Sequence, residues 1–465
     1  MSGHQDTGYA RERVVAAGAR QLPTWIRQVS IGLAVLGLAI FLFGVLSGDH
    51  KTRAWHAFQV NWLFFSTISS AAVMFVAVQR ITTARWSRGI ARIMEGFGAF
   101  LPVAFIGLVV LVLFGGEHAY PWWNELGELK HEKQVYLGHT FFTLRSILAF
   151  AAIMVMQLWY LWTSVRLDVG VSPEGGAGWA AGIRARMRAS FGEERRELHS
   201  THSLQGKLAV IMALVFGFGW CILAWDQSMS LDPHFYSTMY GWQVFMGGWL
   251  VSLMIFSMLI RYWRNTLGAE DLVTETHFHD IGKLCFAFTA FWGYITFAQF
   301  LVIWYGNVPE ETHFFTQRLT HAWTNWTVAV VVLTFVLPFF GLLSVKAKVF
   351  SPTMIFFALC STLGIWIQRY VEVYPSVYGS VMQLADSRLD EASRQILSGR
   401  LLSIAPDAVT PAQTISAEAA LQLGWLGVAD ILVFFCVLLV GFAYVWKRGD
   451  LDWIRALAKK SAQAA

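Results

Sequence analysis

The sequence predicts an all-α integral membrane protein with ten transmembrane helices. Three observations predict it. Of 465 residues, 56% are hydrophobic and 14% charged, which is more apolar than a soluble domain of this length can bury around one core. Apolar runs of the roughly 18 to 25 residues needed to cross about 30 Å of hydrocarbon as helix recur along the chain. Lysines and arginines gather on alternate connections between those runs.

The elements follow in order. Residues 1–28 form a polar tail, and the first span, 29–46, lacks a small-residue cleavage site after it, so it reads as a retained anchor. A first four-helix bundle takes in 58–225, with spans near 60–78, 97–114, 138–163 and 207–225 and a loop at 164–206. A second takes in 240–371, with spans near 242–260, 284–304, 322–343 and 353–371. Segment 372–424 is too polar to insert and is expected to dock as a short amphipathic helix on the outer side. A last span, 425–446, and a tail, 447–465, complete the chain.

Orientation follows from the basic residues. With the N-terminus cytoplasmic, Arg11, Arg13, Arg20, Arg27, Arg80, Arg85, Arg88 and Arg92 fall on one side. So do the stretch from Arg166 to Lys207, then Arg261, Arg264, Lys346 and Lys348, and finally Lys447 to Lys460. The other side keeps roughly a third as many. Ten spans return the C-terminus to the cytoplasm. The net charge of +5 is then a topological bias, and a nucleic-acid partner has nothing left to explain. The cysteines Cys221, Cys285, Cys360 and Cys436 all lie in spans, without CxxC, haem-attachment or ferredoxin spacing, and read as small buried hydrophobes.

The two bundles read as a parallel repeat, because four helices separate the copies. Span two begins at Gln59-Val60 and ends at Arg80; span six begins at Gln243-Val244 and ends at Arg264. Spans four and eight open near the outer face on His139 and His321. Spans five and nine close on polar clusters, "WDQ" at 225–227 and "IQRYVE" at 367–372. The loop 164–206 carries "SPEGGAGWAAG" and then "RARMRASFGEERRE", a hinge followed by a basic helix suited to the anionic inner leaflet.

Chemistry concentrates in span seven, "HDIGKLCFAFTAFWGYITFAQFLVIWYGNVPEET". At 100° per residue, Asp280, Lys283 and Tyr294 share one face, and Thr289, Thr296 and Gln299 another. Asp280 and Gln299 stand about 28 Å apart along a helix axis, nearly the hydrocarbon thickness. Ionisable groups inside a membrane mark functional sites by default, so this span reads as a proton path entered near His279, Asp280 and Lys283. The plainer alternative is an ordinary helix start, with Asp280 favoured by the helix dipole and Lys283 its partner three residues on. His277 and His279 lack the further close ligands of a zinc site. Protons are expected to leave at the outer side near Arg145, Asp226, Arg369 and Glu372, with His139 and His321 also on the path and Gln368 nearby, Arg145 needing a carboxylate or a wet cavity. His139 and His321 fit equivalent places in a repeat better than a haem clamp.

The span-seven segment resembles the signature helix of the polysulfide-reductase-type, or NrfD-like, membrane subunits, closest to those of alternative complex III, a bacterial quinol:cytochrome c oxidoreductase. Residues 85–123, "RWSRGIARIMEGFGAFLPVAFIGLVVLVLFGGEHAYPWW", resemble the subunit of that complex termed F rather than its quinol-pocket subunit, C. The resemblance covers spans two to nine. It implies a bacterial cytoplasmic-membrane subunit without a redox cofactor of its own, beside a second NrfD-like subunit. The implied partners are a multihaem cytochrome c, an iron–sulfur protein, small membrane subunits and lipids, with haem c and iron–sulfur clusters in those partners and menaquinol or ubiquinol as substrate of the whole. The matching residues are Asp280, Lys283, Tyr294, Gln299, Asn307, Pro309, Glu310 and Glu311, the two glutamates facing released protons or a partner's basic surface.

Overall fold

The computed structural model describes residues 24–47, 51–84, 86–87, 90–171, 181–267, 273–319 and 323–388. Most of the polar N-terminal tail, the Gly-rich part of the 164–206 loop, His321, and the expected last span and C-terminal tail lie outside the described residues.

Nine helices among the described residues are long and apolar enough to cross a membrane. We label them α1 (Thr24–Leu46), α2 (Lys51–Ile81), α3 (Leu101–Phe114, led in by the short helix Ala91–Glu95 and a tight turn), α4 (His139–Val171) and α5 (Glu194–Gln227). The second half continues with α6 (Thr238–Leu267), α7 (Glu275–Gly306), α8 (Thr324–Val331, continued through Leu337–Gly341) and α9 (Ser351–Arg388). The all-α membrane fold thus stands. Segment 372–424 differs at its start: α9 runs without interruption through Pro375 to Arg388 instead of ending near residue 371.

Local chemistry explains the helices that look least able to form. α2 carries serines and threonines through its middle, yet Ser66 and Thr67 donate their hydroxyls to Trp62 O and Leu63 O one turn back, so neither is stranded. α7 starts at a capping box in which the Thr274 N–H donates to His277 Nδ1 at 3.2 Å. It stops where Asn307 takes a left-handed conformation (φ 47°), and Pro309 opens the next short helix, Pro309–Leu319. In α8, Pro338 has no N–H for the Thr334 carbonyl four residues earlier, and the chain widens into a π turn over Val332–Val336.

α2 is the central post, buried from Gln59 to Ala77. It packs with α3, α4 and α5 on one side and against α6 and α9 on the other. Gly248 of α6 makes the seam between the halves: a Cβ there would lie 2.6 Å from that of Thr67. Trp366 of α9 crosses the same seam, donating Nε1–H to Asn61 Oδ1 at 3.1 Å. Within the second half, Gly364 of α9 lets Thr334 approach and Gly293 of α7 lets Phe335 approach, which closes α7, α8 and α9 around one interior. The outward faces carry Phe43, Ile106, Phe218, Phe297 and Phe356, suited to lipid tails.

Candidate functional site

Elements of the first bundle converge on Asp226, in the last turn of α5 and fully buried. Arg145, nearly two turns into α4, meets it in a bidentate pair, Nε to Oδ2 at 3.0 Å and Nη2 to Oδ1 at 2.6 Å. That geometry is the strong form of a carboxylate–guanidinium contact. Ser146 donates to Oδ2 at 3.0 Å and Tyr136, on the short helix His131–Leu137, to Oδ1 at 3.3 Å. The guanidinium also lies 3.8 Å over the Tyr136 ring and 4.6 Å over that of Phe141. Arg145, whose partner the sequence could not name, is thus neutralised by a residue on the next spanning helix.

The network extends inward from the carboxylate. Gln227 donates to Ser146 Oγ at 3.1 Å and accepts from the Tyr120 hydroxyl, and its carbonyl accepts from Gln59 of α2 at 2.6 Å. His56 lies at the start of α2, its nitrogens facing Thr52 O at 2.6 Å and Ala119 O at 3.1 Å. A neutral imidazole can donate to only one of them. Outside the membrane segments, burial pushes the Tyr120 hydroxyl well above its ordinary range, and burial with the Asp226 charge pushes Tyr136 up to about 12. Both phenols stay protonated and act as donors.

The second bundle has a matching group. Arg369 is fully buried on α9, holds Glu372 one turn on, and donates Nη2–H to Val244 O of α6 at 2.8 Å. Gln368 donates to Glu372 Oε1 at 2.9 Å and accepts from Trp292 Nε1–H of α7 at 3.1 Å. Arg318, on Pro309–Leu319, donates to Glu372 O at 2.8 Å and Ser376 Oγ at 2.7 Å while stacked 3.3 Å over Phe314. Gln59 of α2 and Val244 of α6 touch the last helix of their own bundles at this end. Gln243, the residue aligned with Gln59 in the sequence, instead donates to Thr296 of α7 at 3.3 Å.

Arg318 has its guanidinium pushed down to about 10 by burial. Asp232 lies beyond the end of α5 with His313 Nδ1 at 3.7 Å, an ion pair too long for a hydrogen bond. Burial opposes the Asp232 charge, but His313 and Arg318 outweigh it and hold the carboxyl below its usual range. The Asp232 carboxylate in turn raises His313.

The span-seven residues separate into two groups. Thr289 and Gln299 are buried, Gln299 donating to Ser237 Oγ at 3.4 Å, and Thr296 accepts from Gln243 at 3.3 Å. Lys283 and Asp280 pair at 2.7 Å at the basic end, half-exposed. Tyr294 is 64% exposed on the outer surface and meets none of the buried network. His279 is half-buried beside Asp280. At the opposite end, His139 is exposed, stacked 4.2 Å from Trp123 with Nε2 at 2.9 Å from its carbonyl. Glu311 is half-buried on the short helix after α7, and Glu310 precedes it there.

Between the two ends each bundle holds buried polar groups, and the Ser69 hydroxyl of the first has no hydrogen-bond partner. In the first, Gln157 donates to Ser70 O at 2.8 Å and Trp220 to Ser70 Oγ at 2.9 Å. In the second, the hydroxyls of Thr289, Thr334 and Ser361 are buried without a hydrogen-bond partner. Sequence reasoning missed Tyr120, Tyr136, Ser146, His56 and Arg318. Of these, Tyr120 alone lies in a segment that the sequence singles out, 85–123. Among the described residues no three His, Cys, Asp or Glu side chains gather closely enough to hold a metal ion.

Fold and site therefore define a multi-pass all-α membrane protein with arginine-paired carboxylates buried at one end of each bundle. Residues 408–453, outside the described ones, match the family described as NADH-ubiquinone/plastoquinone oxidoreductase, chain 3. Over a short stretch the chain is similar to the A subunit of the NADH-quinone oxidoreductase of Polynucleobacter necessarius (50% identity over 32 residues, 7% of this chain and 27% of the relative). It is likewise similar to the same protein of Myxococcus xanthus (55% over 31 residues, 7% and 25%) and of Verminephrobacter eiseniae (53% over 32 residues, 7% and 27%). The chain spans about a quarter of the length of the curated relatives it matches.

Proposed function

We propose that the chain is a membrane subunit of a bacterial quinol:electron-acceptor oxidoreductase of the alternative complex III kind, and that it conducts protons across the cytoplasmic membrane. The observation that carries this reading is Asp226, fully buried near one end of a spanning helix and held by Arg145, Ser146 and Tyr136. Ionisable groups at such a depth are costly, and where a protein keeps them they serve transport, proton relay or binding. The stretch similar to quinone-oxidoreductase subunits supports a place in a respiratory complex.

In this account protons enter at the basic end near His279, Asp280 and Lys283. They leave through the Arg145–Asp226 and Arg369–Glu372 groups, both termini being cytoplasmic. Thr289, Thr334 and Ser361 offer open hydroxyls midway, and Trp292 and Gln368 link that level to Glu372. Ordered water completes the links that side chains do not make. Tyr294, on the lipid side, is no part of the route. The redox groups, haem c and iron–sulfur clusters, belong to a multihaem cytochrome c and an iron–sulfur protein on the outer face. A second NrfD-like subunit oxidises menaquinol or ubiquinol, and small membrane subunits complete the assembly.

The experiment is purification of the chain from native membranes in mild detergent. The account expects it to co-migrate with those partners in a fraction that reduces an electron acceptor with quinol. Recovery as a lone, stable protein without quinol-dependent activity contradicts it.

A further inference from the structure

The basic end of the second bundle holds more positive charge than the described side chains neutralise. Arg261 of α6 is 5% exposed, yet its bonds go to carbonyls: Nη1 to Ser257 O at 2.7 Å and Nη2 to Lys348 O at 2.6 Å. Its Nε, and that of Arg264 one turn on, are buried without a hydrogen-bond partner. Both guanidiniums lie over one ring, Phe278, at 4.4 and 5.3 Å. Lys348, on the short helix Val345–Val349 between α8 and α9, runs its stem over Gly282 of α7, where a Cβ would meet it at 2.6 Å. Its ammonium finds Leu343 O at 3.5 Å and the Phe286 ring at 5.3 Å. Burial, and the charge of nearby Lys283, push that ammonium below its ordinary range. Among the described residues the cluster's one paired carboxylate is Asp280, and Lys283 takes it.

We propose that Arg261, Arg264, Lys283 and Lys348 bind a phosphate-bearing anion. Its source is the headgroup of a membrane phospholipid or free phosphate. A guanidinium kept nine-tenths buried with only neutral acceptors stays charged at large desolvation cost, and an anion beside it removes that cost. The unpartnered Nε–H groups suit phosphate oxygens, and the cluster sits where spanning helices end, at headgroup depth. Phe340, Leu343, Val345 and Phe350 lie exposed beside Lys348, an apolar wall for acyl chains.

The test is native mass spectrometry of the delipidated, detergent-purified protein in its complex. It is titrated separately with phosphatidylglycerol, phosphatidylcholine and inorganic phosphate, for the natural sequence and for Arg264→Gln, Arg264→Lys and Asp280→Asn. Retained phosphatidylglycerol should weaken about fivefold in Arg264→Gln, recover in Arg264→Lys and strengthen in Asp280→Asn. Thermal melts of each variant check that the fold is intact. Retention of phosphatidylglycerol that inorganic phosphate does not displace assigns the lipid. Displacement by phosphate at millimolar concentration assigns the free anion. Equal retention of phosphatidylglycerol and phosphatidylcholine, unchanged in all variants, overturns the proposal.

Discussion

At its basic end the first bundle answers two arginines with carboxylates, while Arg80 and Arg188 also reach the carbonyls of His202 and Val169. Arg92 is bound to Glu95 and Ser164, and Arg166 to Glu197 at 2.9 Å. At the same end of the second bundle, Arg261 and Arg264 rest on carbonyls and a phenyl ring. At the opposite end the bundles agree: Asp226 with Arg145, Glu372 with Arg369, each carboxylate on its bundle's last spanning helix. The two bundles thus share the end where charge is held internally and differ at the end where the second leaves charge open. The open end is where a ligand or a proton source has reason to arrive.

The sharpest way to break this comparison is to empty the two shared pairs. Asp226→Ala and Glu372→Ala each leave a buried arginine uncompensated, and each should cost about 3–5 kcal/mol in a denaturant titration of the detergent-purified protein. Similar losses support equivalence of the bundles. A large loss at Asp226 with none at Glu372 breaks it, because Arg318 would then suffice to hold that end of α9 together.

A smaller effect concerns the Asp232–His313 contact, present at the second group and without a counterpart at the first among the described residues. His313 is raised above its ordinary value of 6.5, so its contribution is complete below that pH and fades as pH rises through the folded value. Asp232 is lowered from 3.8, so its contribution holds above that pH and fades as pH falls through its folded value. The pair is therefore fully stabilising between the two ordinary values, 3.8 and 6.5. The melting temperature of the natural protein minus that of His313→Asn should be largest near pH 5.5 and vanish near pH 9. A difference independent of pH would remove the ion pair from the account.

Much of the architecture was legible because a membrane imposes a simple rule. Hydropathy placed nine spans that the structure describes as helices, and the limits of α7 lie at Thr274, Asn307 and Pro309. What hydropathy could not show was which side of α7 faces inward, since helix phase gave two polar faces of equal standing. Packing chose the Thr289 and Gln299 face, leaving Tyr294 outside, because Gly282 and Gly293 bring Lys348 and Phe335 close along α7. Arg145 was legible as a residue in need of a partner. Asp226, in the next spanning helix, could not be matched to it before α4 and α5 were packed. Tyr136 and Arg318 escaped notice because they sit on short helices outside the spans, where a phenol or an arginine is ordinary until it turns back into the bundle.

The most direct test of the central claim is the proton-to-electron ratio of the complex reconstituted in sealed vesicles and oxidising quinol. Natural protein is compared with Asp226→Asn and Glu372→Gln, which keep shape and much of the hydrogen bonding while removing charge. The account predicts a fall in protons translocated per electron with quinol oxidation largely maintained. An unchanged ratio in both variants would contradict it.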